Sequence, residues 1–179
     1  MLTPAMVGGS MVVMGATMLP STVPLLRLDF ATARSARHTG ALAAGYTAVW
    51  AAIGALVMPL AMLEASGRAS AAALGGAAVY QASPVSRRCL TRCRTPLARI
   101  VVGWRDGANG GLVMGVRDGL WCAGCCAGMV VAVIALGAVN IWAMLVFGPL
   151  ATLQKVTPFG VAASLAIAVA LSIGAVVLL

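Results

Sequence analysis

The sequence predicts an all-α, polytopic transmembrane helical bundle of about five spans, and three observations predict it: its composition, its long uncharged runs and the one-sided placement of its arginines. Of 179 residues, 61% are hydrophobic and 9% charged, against about 25% charged in an ordinary soluble domain. A water-soluble fold has no means of covering that much apolar surface. A helix needs about 20 apolar residues to cross the hydrocarbon core of a bilayer, and five runs meet or approach that length. The whole chain, 1–179, is read as a single integral membrane domain.

Residues 4–26 are the first expected span. No basic residue precedes Arg27, so the positive leader of a secretory signal is missing and the run is read as retained. Residues 40–63 are the second. The run 69–83 is shorter and is expected to cross tilted or only in part. Residues 120–147 make a long fourth span, and 158–179 the fifth.

Arg27, Arg34 and Arg37 follow the first span, and seven more arginines, from Arg87 to Arg117, lie between the third and fourth. The remaining basic residues are Arg68 and Lys155. Cytoplasmic loops carry the Lys/Arg excess, so the expected placement is the bacterial inner membrane, with an outside N-terminus, a cytoplasmic C-terminus and a cytoplasmic basic loop over 84–118. The net charge of +8 is concentrated in these loops with few aromatics beside it, which argues against nucleic acid as a partner. The lipid bilayer, with anionic lipids at the arginine-rich loop, is the expected partner.

That loop is itself patterned. Val85, Cys89, Cys93, Leu97, Ile100 and Trp104 recur at three- and four-residue steps with arginines on the other faces, which predicts an amphipathic interfacial helix between spans 3 and 4. Pro84 is placed to start it, and Pro96 to kink or divide it. Gly111, Gly115 and Gly119, and then Gly124 and Gly128, repeat every four residues and predict close helix packing.

Sulfur supplies the candidate chemistry. Cys89 and Cys93 share the interfacial helix, and Cys122, Cys125 and Cys126 open the fourth span. Clustered thiolates select soft ions, Cu(I) or Zn; the competing reading is that buried cysteine packs as a small hydrophobe. Met11, Met14 and Met18 share one helical face, and Met58 and Met62 another. Thioethers ligate cuprous ion, although methionine is also ordinary core filler. Met14 and Met18 join the five cysteines as candidate metal ligands. Asn140 sits mid-span, where a hydrogen bond to a neighbouring helix is its simplest use. The single histidine, His38, is expected to be exposed. Arg117 and Asp118 point different ways on a helix, so each needs its own partner. No nucleophile triad, phosphate loop or acidic pair is present, and no catalytic residue is assigned.

Several motifs together resemble a bacterial family of predicted metal-binding integral membrane proteins, domain of unknown function 2182. They are Val79-Tyr80-Gln81-Ala82-Ser83-Pro84, the run Arg88-Cys89-Leu90-Thr91-Arg92-Cys93, and Gly119-Leu120-Trp121-Cys122-Ala123-Gly124-Cys125-Cys126. Met14 to Pro20, Tyr46 to Trp50 and Gly137 to Asn140 fit in the same order. The resemblance implies a membrane fold and a metal. Thr17 beside Met18, Asp118, Val139 and Gln154 depart from the family's pattern at positions of possible ligands.

Three functions follow. The first is non-catalytic binding or handling of a soft metal, copper first. A second is a structural or accessory subunit associated with other membrane protein subunits and holding a degenerate metal site. The third is a membrane thiol–disulfide relay, which cysteines on a reducing cytoplasmic face disfavour.

Overall fold

The computed structural model describes residues 3–61, 67–136 and 141–178, without the side chains of 61 and 141–147. It is helical throughout, in nine α-helices among the described residues. Helix α1 spans Pro4–Met18; Thr3 caps it by accepting the Met6 N–H at 3.3 Å, and Pro4 enters at the position where its missing N–H costs nothing. A short tight turn at Leu19–Thr22 leads into α2, Val23–Ala33, which ends on Arg34 in the left-handed conformation, φ 49°. The remaining helices are α3 (Ala36–Ala61), α4 (Gly67–Ala82), α5 (Pro84–Cys93), α6 (Pro96–Gly103), α7 (Gly107–Ala135), α8 (Ile141–Val156) and α9 (Gly160–Val177).

Four stretches are long and apolar enough to cross a membrane by length and composition: Pro4–Ala33, Ala36–Leu60, Gly107–Ala135 and Gly160–Val177. Helices α4 and α8 have 16 residues each, about 24 Å of rise. They run alongside the longer helices but fall short of a hydrocarbon core about 30 Å thick.

The expected fourth span, 120–147, is divided. Helix α7 begins at Gly107 and ends at Ala135, and α8 begins afresh at Ile141. One helix over 107–147 would be about 60 Å long, twice the bilayer core. The expected interfacial stretch 84–118 likewise resolves into α5 and α6, separated where Pro96 forbids helix continuation, while residues 107–118 already belong to α7.

Glycines set the packing. Helices α3 and α7 run parallel, with Gly111 against His38, Gly115 against Leu42 and Gly119 against Tyr46 and Val49. A Cβ at Gly111 or Gly115 would collide with the backbone oxygen of His38 or Leu42. Helix α1 runs antiparallel to α3, joined by Ser10 Oγ donating to Gly54 O at 3.0 Å. Helix α4 lies between α7 and α9: Gly128 meets Ala77 and Gln81, and Gln81 Nε2 donates to Ser164 Oγ at 3.2 Å.

These registers also place the chain ends. The C-terminal turn of α9 lies beside Gly67, and the start of α1 lies on the same side, level with the last turns of α3. The first turn of α1 and the last turn of α9 therefore sit at the end away from the arginine-rich helices. Helix α8 produces this arrangement by running back toward the arginine-rich helices, to Cys122 and Arg94, before α9 begins.

Candidate sulfur site

Cysteine, methionine and one lysine converge where α1, α5, α7 and α8 meet. Ser83 caps α5 by accepting the Ser86 N–H at 3.2 Å, Pro84 starts it, and the helix lies against α7 at Gly124. The fit is close: a Cβ on residue 124 would come within 2.8 Å of Cys89 Sγ, so the cysteine side chain would have to move. The close approach presents Cys93 to Cys125, whose thiol points at Cys93 Sγ at 3.9 Å. The Sγ atoms of Cys125 and Cys126 are 3.7 Å apart. Two sulfurs each about 2.3 Å from one ion at a tetrahedral angle stand roughly 3.8 Å apart, so both pairs are already spaced to share a soft ion.

Cys122 lies within hydrogen-bonding reach of the Cys125 and Cys126 thiols and is held from its other side as well. Lys155 Nζ donates to its sulfur at 2.7 Å and to Ser21 Oγ at 3.3 Å, and Tyr46 OH lies 2.9 Å from the same sulfur and 3.1 Å from Ser21 Oγ. Lys155 and Tyr46 are both buried. A lysine charge withdrawn from water needs a partner, and here that partner is a thiol. On the interfacial helix, the hydrogen bond from Cys125 draws the Cys93 thiol below its ordinary value, against the effect of burial. Burial, and then the charge of Cys93, push Cys89 above it.

Deeper in the bundle, Met14 and Met18 of α1 face Cys126 and Met129 of α7 across a cavity of about 20 Å³, closed by Thr17, Val130, Val133 and Gly148. One water-sized occupant needs about 10–15 Å³. Among the described residues no three His, Cys, Asp or Glu side chains close on one metal position. The donors instead form thiol pairs that continue into thioethers, a set suited to cuprous ion.

The seven candidate ligands thus divide. Cys93, Cys125 and Cys126 form a chain of sulfurs, Met14 and Met18 meet its inner end, Cys122 sits beside Cys125 and Cys126 and is also engaged by Lys155, and Cys89 is turned against Gly124. Met11 is half-buried and Met58 buried. Met62, Val139 and Asn140 lie outside the described residues.

Sequence reasoning missed Lys155, which it placed in a loop, and passed over Met129 and Ser21. Met129 had a signal, because it follows Cys126 by three residues and so shares its helical face. His38 is corrected from exposed to buried: its Nδ1 is 3.2 Å from Asp29 Oδ2, its Nε2 is 2.9 Å from Arg105 O, and its ring stacks on Trp104. Asp118 finds Arg99 as its partner, while Arg117 is exposed over Gly103.

The family model of the PpoB2 copper chaperones matches residues 7–178. The chain belongs to this family. Membership in the copper chaperone family agrees with the metal-related character that the cysteine motifs imply. Nothing among curated proteins or solved structures matches the chain.

Gln154, next to Lys155 on α8, is fully buried with neither side-chain amide atom hydrogen-bonded. This member of the copper chaperone family therefore has an orphaned polar group on the same helix turn as Lys155, together with sulfur pairs at ion-sharing distance.

Proposed function

We propose that this chain is an integral membrane protein that takes up cuprous ion as cargo and passes it between sulfur atoms without catalysing a reaction. The observation that carries the proposal is the ordered row of sulfurs: Cys93, then Cys125, then Cys126, then the thioethers of Met14, Met18 and Met129. Low-coordinate sulfur sites suit Cu(I) and allow an ion to move by exchanging one ligand at a time. The thiol end lies at the arginine-rich helices and the thioether end inside the bundle. With the arginines on the cytoplasmic face, cargo enters from the cytoplasm and both chain termini face outward across the inner membrane.

In this reading Lys155 and Tyr46 are positioning residues. Both hold the Cys122 sulfur, and the Lys155 ammonium supplies positive charge to the site while cargo is absent.

Anaerobic Cu(I) titration of the purified protein against a chromophoric chelator tests the proposal. Wild type is expected to hold copper, replacement of all five cysteines by serine to abolish the binding, and Cys125→Ser alone to remove most of it. Unchanged stoichiometry in the five-cysteine variant would sink the idea.

A further inference from the structure

A groove of about 800 Å³ runs between α5, α6 and α7. It falls within the volume range of sites that hold small molecules, about 300–1,000 Å³. Arg87, Arg88 and Arg92 of α5 and Arg117 of α7 line it, and all four are exposed. The chain has four acidic residues. Asp29 is engaged by His38 and Thr39, Asp118 by Arg99, and Asp106 by the Trp104 N–H. Among the described residues no carboxylate lies within ion-pair distance of any of the four groove arginines.

Beyond these arginines, Arg99, Thr91 and Thr95, the wall is apolar. Val85 is 54% exposed and Val102 84% exposed in the groove, and Trp121 closes its inner side, with the Arg92 guanidinium 5.1 Å over its ring. Guanidiniums from two helix directions beside exposed valines call for a ligand with two characters. An inorganic anion would satisfy the arginines and leave the valines in water. A phospholipid with an anionic headgroup satisfies both, its phosphate between the arginines and its acyl chains along Val85, Val102 and Trp121.

We propose that this groove is a binding site for one anionic phospholipid, such as phosphatidylglycerol. It is separate from the sulfur row and independent of copper.

Native mass spectrometry of the full-length protein released from micelles doped with phosphatidylglycerol or phosphatidylcholine tests the site. One retained phosphatidylglycerol per chain is expected, with little retained phosphatidylcholine. A double variant, Arg88→Gln with Arg117→Gln, should lose roughly 25-fold in occupancy constant, about fivefold per guanidinium near an anionic lipid. Arg34→Gln with Arg37→Gln, outside the groove, should stay within about twofold of wild type on the same scale. Val102→Asp, at an exposed position that tolerates a polar group, should also reduce retention while keeping every arginine.

Equal losses in the groove pair and the control pair would mean diffuse attraction and overturn the site. Displacement of the lipid by inorganic phosphate, or full retention in Val102→Asp, would overturn it too, because the apolar wall would then play no part. Unchanged elution and helical circular dichroism separate these outcomes from misfolding.

Discussion

Helices α3 and α7 pass through two regions that satisfy their polar groups in opposite ways. Near the arginines, beside the small cluster of Leu25, Leu42 and Ile100, the buried carboxylates find partners within the chain. Asp29 accepts from Thr39 at 2.6 Å and faces His38, and Asp118 pairs with Arg99, whose Nη2 also donates to Cys93 O at 3.0 Å. Beyond Tyr46 and Cys122, the larger core cluster carries sulfur where the first region carries carboxylate. Thiols and thioethers hydrogen-bond weakly, so that region can be buried cheaply and still offer donors to an ion.

The strongest way to break this contrast is to unpair the arginine-side region. Asp118→Ala leaves Arg99, 14% exposed at its side chain, with its charge uncompensated. Loss of one partner of a buried pair costs roughly 3–5 kcal/mol, and thermal unfolding in detergent should show it as a large fall in midpoint. Asp118→Asn, which keeps a hydrogen-bonding group, should fall less; equal midpoints for wild type and Asp118→Ala would remove the pair from the account. His38→Ala comes next. It deletes the contact with Asp29, the bond to Arg105 O and the Trp104 stack. A buried group left without its partner costs about 1–3 kcal/mol, and the same melting experiment should place this variant between Asp118→Ala and wild type.

The two regions differed in how far the sequence disclosed them. Uncharged runs and glycine repeats are one-dimensional signals of burial and close approach, so the helical bundle, the close packing at the glycines and the break at Pro96 could be read directly, while the choice of α3 as the partner of α7 could not. Length misled in one place: 120–147 contains no charge to mark where α7 stops and α8 starts. His38 and Lys155 were misplaced for a related reason. A lone ionisable residue at a span end looks solvated until a distant residue claims it, and Asp29 and Cys122 do so across 9 and 33 positions. The cysteines were visible as clusters, but their order along a path depends on Gly124 bringing α5 against α7.

The smallest expected change in stability sharpens the contrast most. Met129 is 3% exposed and Met14 likewise, and leucine matches methionine closely in volume, a swap that usually costs under about 1.5 kcal/mol. If the thioethers were packing alone, Met14→Leu with Met129→Leu would melt near wild type and bind Cu(I) unchanged. If they are the inner end of the sulfur row, the melting midpoint still moves little, but Cu(I) affinity falls at least about tenfold, equivalent to roughly 1.4 kcal/mol. The thiol end should keep its own binding, because Cys93 and Cys125 do not touch the substituted residues' cavity. Chelator competition should therefore show one weakened class of site beside one preserved class. A single unchanged class would assign Met14 and Met129 to the core and shorten the path to its cysteines.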